Sequence, residues 1–102
     1  MAMIVVVFNL KPGVDKAEYE NWAKTTDLPT VNALGSINKF QVLRTTGMLG
    51  TDAAAPYQYV ELLDVGDMEK LGADISTETM QRVAGEFQAF ADNPMFILTE
   101  EL

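Results

Sequence analysis

Four short strand-forming runs and two amphipathic helical stretches, in the order βαββαβ, predict an α+β domain with a four-stranded antiparallel sheet. Three observations carry that prediction. The runs "MIVVVFNL" (3–10), "INKFQVLRTT" (37–46), "YQYVELLDV" (57–65) and "MFILTEEL" (95–102) are rich in β-branched and aromatic residues. Between the first and second strands, and again between the third and fourth, apolar residues recur at helical spacing instead. No repeat or linker interrupts the chain, so its 102 residues read as a single domain, 1–102.

The first strand stops at "KPG" (11–13). The helix that follows has a marked start. Asp15 can cap it, Glu18 stands three residues on as in a capping box, and Val14 can staple onto Tyr19. Tyr19, Trp22, Ala23 and Thr26 share its inward face. Pro29 disfavours a helical Leu28, so a break is expected there, with a second short turn running to about Leu34 and stopped by Gly35. After the second strand, "GMLGTDAAAP" (47–56) is a loop of small residues, either a plain connector or a mobile lid. The third strand leads to a short helix from Asp67 to about Leu71. A longer helix starts at Ser76 or Thr77, carries Met80, Val83, Ala84, Phe87 and Phe90, and is ended by "DNP" (92–94). This order is the ferredoxin-like pattern, with both helices on one face of the sheet.

The other face then needs explaining. A wet face would show polar residues alternating with apolar ones. Yet Ile4, Val6 and Phe8 oppose Met3, Val5 and Val7, and Phe96 and Leu98 oppose Met95 and Ile97. Strands apolar on both sides need cover on both sides. A second copy of the sheet, related by a two-fold axis, is the simplest cover, so a homodimer is expected.

Composition narrows the chemistry. Hydrophobic residues make up 48% of the chain, which excludes disorder, and no apolar run is long enough to span a membrane. The opening segment lacks a basic n-region and a cleavage site, so it reads as a strand rather than a signal peptide, and a cytoplasmic location is expected. Fifteen acids against seven bases give a net charge of -8, which disfavours nucleic acid as a partner. With no cysteine and no histidine, thiolate chemistry, disulfides and the commonest zinc and haem ligands are unavailable. No metal, haem or flavin cofactor is expected, and proton transfer would fall to carboxylates, tyrosine or lysine.

The opening "VVFNLKPGVDKAEYENW", the proline after the first helix and the βαββαβ order along all 102 residues resemble the dimeric α/β-barrel superfamily, in which two ferredoxin-like protomers press their sheets together. Within it the chain is similar to the REDY-like, HapK-type family, small proteins that accompany prodiginine pigment biosynthesis on the branch making the bipyrrole aldehyde. The resemblance lies in length, strand order and sequence texture and involves no catalytic signature. It implies a small dimer in bacterial secondary metabolism and does not imply a particular reaction. Haem-degrading and quinone-forming monooxygenase branches often carry an Asn near the end of the first strand, which Asn9 matches in position, together with a His that this chain lacks. An EthD-like branch tends to have a His two residues before the proline that follows the first helix, where this chain has Asp27.

The candidate site follows from these residues. Tyr19 and Trp22 either pack as ordinary core or line a pocket for a flat heteroaromatic ligand. Asn9 either bonds the nearby turn or orients a ligand oxygen on the pocket floor. Asp27 either caps the turn at Leu28 or, desolvated at the pocket mouth, acts as a base. Tyr57, Tyr59 and Glu61 share one strand face, with Arg44 a candidate partner for Glu61 and Tyr59 a candidate ligand contact. Glu78, Arg82 and Glu86 form a solvated helical stripe. Asp27 and Asn9 are thus the candidate catalytic residues, and Tyr19, Trp22 and Tyr59 the candidate ligand-binding residues. Two functions fit: a protein that binds an aromatic, pyrrole-type intermediate, as a carrier or a cofactor-free enzyme, or a non-catalytic dimer that supports a pathway enzyme.

Overall fold

The computed structural model describes residues 2–102. Strand β1 (Ala2–Leu10) is followed by helix α1 (Lys16–Trp22), a π-helical turn (Ala23–Asp27) and helix α2 (Leu28–Asn32). Then come β2 (Ile37–Arg44), β3 (Tyr59–Val65), α3 (Met68–Ile75), α4 (Glu78–Phe90) and β4 (Ala91–Glu100). The four strands form one antiparallel sheet in the order β2-β3-β1-β4. The α+β, ferredoxin-like architecture expected from the sequence is therefore present.

Pairing decides which residues face the helices. Phe8 lies opposite Tyr59, Val6 opposite Glu61 and Ile4 opposite Leu63. Because side chains alternate, this row points one way and Met3, Val5, Val7, Val60 and Leu62 point the other. Val6, Phe8, Tyr59 and Glu61 are buried, so theirs is the helix-covered face. The described helices lie on the buried side, and Leu43, Met95 and Ile97 are exposed on the opposite face.

Two apolar clusters hold the helices down. Phe8, Tyr19, Tyr59 and Phe87 centre the first, with Phe8 stacked on Tyr59 at 5.6 Å and edge-on to Phe87 at 5.0 Å. Val31, Ile37, Phe40, Leu71 and Met80 centre the second. The helix starts behave as their caps require. Asp15 accepts from the Ala17 N–H, Asp67 from those of Glu69 and Lys70, and Thr77 from that of Met80.

Five expectations about element ends are corrected. Pro29 does not break the helix. The chain passes through the π turn, in which the Leu28 N–H bonds the Ala23 carbonyl, five residues back, and Leu28 keeps helical angles. The wider turn gives room for the proline ring, which would otherwise clash with the carbonyl four residues before it. The segment 92–94 belongs to β4 rather than to the end of α4, which stops at Phe90. Asn93 adopts a φ of 47° beside a register shift opposite Val7 and Asn9, so Asn93 and Pro94 form a bulge on an edge strand, where a missing N–H is tolerated. Finally, α3 extends to Ile75, β2 ends at Arg44 and β3 begins at Tyr59.

Candidate functional site

The two clusters leave a cavity of about 270 Å³ between sheet and helices. Ile4, Phe40, Glu61 and Leu63 form its floor on the sheet. Val31, Leu71, Met80, Val83 and Phe87 close it from the helices. Ile75, Ala84, Gln88 and Phe96 also line it and are exposed, which places the mouth along α3, α4 and β4. Among the described residues, Asp27 and Glu61 are the only charged ones in this lining.

The π turn delivers Asp27. Its one extra residue rotates the helix so that Asp27, on the last position of the turn, comes to lie 5% exposed against the cavity. Its carboxyl caps no helix, so the capping role considered for it is not the one it has. Burial pushes that carboxyl from 3.8 up to about 7. Glu61 arrives from β3 as the one charged member of a row otherwise made of Tyr59, Leu63 and Val65. It is also 5% exposed and accepts a hydrogen bond from the Tyr19 hydroxyl at 3.4 Å. Burial first, and then the charge of Asp27, push it up to about 8, against the smaller opposing effect of the Tyr19 bond. Two carboxyls so placed can hold or release a proton near neutral pH, which is what a general acid or base requires.

The other expected site residues lie elsewhere. Tyr19 is fully buried, and burial and the neighbouring Glu61 raise its phenol well above the usual range. With Tyr59 it lines a second, more polar hollow together with Glu20, Lys24 and Arg44. There the Tyr59 hydroxyl donates to Glu20 at 2.6 Å, and Arg44 also bonds Glu20 through Nε at 2.8 Å. Arg44 therefore serves Glu20, not Glu61, and its bond is the leading reason that the Glu20 carboxyl sits at about 2.

Trp22 is half-buried, 5.3 Å from the Phe90 ring, and its indole N–H donates to Glu86 at 2.9 Å. Glu86 is thus more than part of a solvated stripe. Asn9 accepts from the Gln58 N–H at 2.9 Å and donates to the Pro56 carbonyl at 3.3 Å, tying the end of β1 to the segment before β3. Trp22 and Asn9 line neither hollow. The arrangement expected from sequence, with aromatic walls, Asn9 on the floor and Asp27 at the mouth, is not the one found. Asp27 is deep in a cavity with aliphatic and phenylalanine walls, and its partner there is Glu61. One signal pointed to Glu61: a single carboxylate in an otherwise uncharged strand row that also carries Leu63 and Val65.

Among the described residues, no three His, Cys, Asp or Glu side chains gather into a group that could hold a metal ion, and no helix is long and apolar enough to cross a membrane.

Comparison with known proteins adds the relatives. The crystal structure of HapK from Hahella chejuensis aligns with a TM-score of 0.79 at 27% identity, over 100% of this chain and 93% of that one. SnoaB, described as a cofactor-independent oxygenase from Streptomyces nogalater, aligns at 0.77 and 14% identity, over 98% of this chain and 91% of that one. A protein described as dimeric and ferredoxin-like, from Thermobifida fusca, aligns at 0.71 and 13% identity, over 98% and 90%. At these lower identities the likeness establishes the fold. A sequence comparison with curated proteins returns no match. The family model described as "REDY-like protein HapK" matches residues 2–102, and the chain belongs to that family.

Proposed function

We propose that the chain binds a small, flat, largely apolar biosynthetic intermediate of the pyrrole type in the cavity beneath α3 and α4, and that Asp27 and Glu61 hold or move a proton on it. One observation carries this reading: a cavity of about 270 Å³ with apolar walls and two buried carboxyls as the only charged groups that the described residues place in it. Such a mix of apolar wall and few convergent polar groups is typical of small-molecule sites. Family membership supports a place in the biosynthesis of secondary metabolites such as prodiginine-like pigments, and the SnoaB fold shows that a cofactor-independent enzyme can be built on this scaffold. The same reading includes a homodimer through the uncovered sheet face, in keeping with the dimeric Thermobifida fusca neighbour.

A thermal-shift screen with pyrrole, quinone and phenol compounds tests the proposal. A ligand at a hundred times its dissociation constant stabilises by about 2.7 kcal/mol. Ala84→Phe, at the cavity mouth, should abolish that shift while leaving the fold intact. Shifts that persist in this variant, or none with any compound, would refute it.

A second reading rests on a different feature. Met48 and Leu49 stand exposed on the β2–β3 loop, as they would on a surface that meets another protein. A non-catalytic dimer that supports a pathway enzyme would use them. Co-purification with such an enzyme, lost on Leu49→Asp, would favour it.

A further inference from the structure

Two carboxyls face one apolar space with no cation among the described residues to answer them. Asp27 is 5% exposed, lines the cavity and accepts no hydrogen bond from the described residues. Glu61 has one donor, the Tyr19 hydroxyl. No Lys or Arg contributes to the lining from any of the elements packed around the pair. The titratable groups that face it are Tyr19 from α1 and the two carboxyls themselves. Arg44 and Lys24 line the second hollow instead, where Arg44 pairs with Glu20.

Buried polar groups are normally paired, and an unpartnered one aimed into a cavity leaves acceptor capacity for a ligand. Phe40, Phe87 and Phe96 line the same walls, and the face of an aromatic ring attracts a cation. A planar, delocalised cation loses less hydration on entry than a compact ammonium does. The net charge of -8 draws cations toward the protein from a distance.

We propose that this cavity selects a planar nitrogen cation, such as an amidinium or a protonated N-heterocycle, over its neutral isostere, with its N–H groups donating to Asp27 and Glu61, and that binding releases a proton from the pair to solvent. This rests on the cavity reading above and adds the charge class of its occupant. A cation beside the pair favours the ionised carboxylate, so ligand and proton compete.

Benzamidine and its neutral isostere benzamide are the probes. Their binding is followed by NMR at the Val83 and Phe87 amides and by calorimetry in two buffers of different ionisation enthalpy. Benzamidine should bind at least about tenfold more tightly than benzamide, and its affinity should rise by up to roughly tenfold per pH unit between about pH 5 and about pH 7, with a buffer-dependent heat that reports the released proton. Benzamide binding should not change with pH. Asp27→Asn and Glu61→Gln should each weaken both the preference and the pH slope, and the double variant should remove them. Equal affinities, or a benzamidine affinity indifferent to pH, would overturn the proposal and leave the cavity reading intact. If neither probe perturbs Val83 or Phe87 while both variants remain folded, this proposal and the placement of the site fall together.

Discussion

Replacing Asp27 by Asn should make the protein more stable at alkaline pH than at acid pH, relative to the parent chain. The carboxyl rises from 3.8 to about 7 on folding because it is buried. Below pH 3.8 it is neutral in both folded and unfolded chains and carries no penalty. As pH rises from 3.8 toward 7 the unfolded chain loses its proton first, so stability falls, and above about 7 the loss levels off. At about 1.4 kcal/mol per pKa unit, the loss due to Asp27 between about pH 5 and about pH 8 comes to roughly 3 kcal/mol. Asn has the same shape and never ionises. The substitution also relieves Glu61 of a neighbouring charge, which acts in the same direction. Any fixed cost of placing the amide in the cavity cancels when the two pH values are compared. Urea unfolding at a fixed protein concentration measures the difference. With a slope of about 1–3 kcal/mol per molar urea, the advantage of the variant should grow by about 1–3 M in midpoint from the lower pH to the higher. Parallel pH profiles for parent and variant would mean that Asp27 is not a neutral buried acid, and the assignment of the pair would be wrong.

Asn9→Ala should cost about 1–3 kcal/mol, because it leaves the Gln58 N–H without its acceptor, and should not change ligand affinity; a stable variant with altered binding would return Asn9 to the site. Trp22→Phe should cost about 1 kcal/mol through loss of the bond to Glu86, and Trp22→Ala about 3 kcal/mol as the ring contact with Phe90 goes too. Equal losses in chemical denaturation would show that ring packing contributes nothing. Light scattering at micromolar concentration should give twice the chain mass of 11.2 kDa, and Leu62→Lys on the uncovered sheet face should reduce it to a single chain; a monomeric parent would remove the need for cover on that face.

The element order was legible because its signals are local. Val5, Val6 and Val7 mark a strand whatever surrounds them, and Asp15 and Thr77 cap their helices through bonds to N–H groups two and three residues away. Parity along β1 and β4 also showed that both sheet faces are apolar, since side-chain alternation needs no knowledge of the partner strand. With neither histidine nor cysteine in the chain, carboxylates are the groups left nearest to neutral pH for proton transfer.

The site was decided at a different level. Parity groups Tyr59 with Glu61 but does not say which way the row points; only the pairing of β3 with β1 and the helices packed above it turn Glu61 inward. Pro29 signalled irregularity, and a break and a π turn satisfy a missing N–H equally well at the local level. The packing of Tyr19, Ala23 and Val31 onto the sheet goes with the π turn, and the π turn carries Asp27 into the interior. The raised carboxyls belong to this level as well, because desolvation is a property of the space around a group and not of its neighbours in the chain.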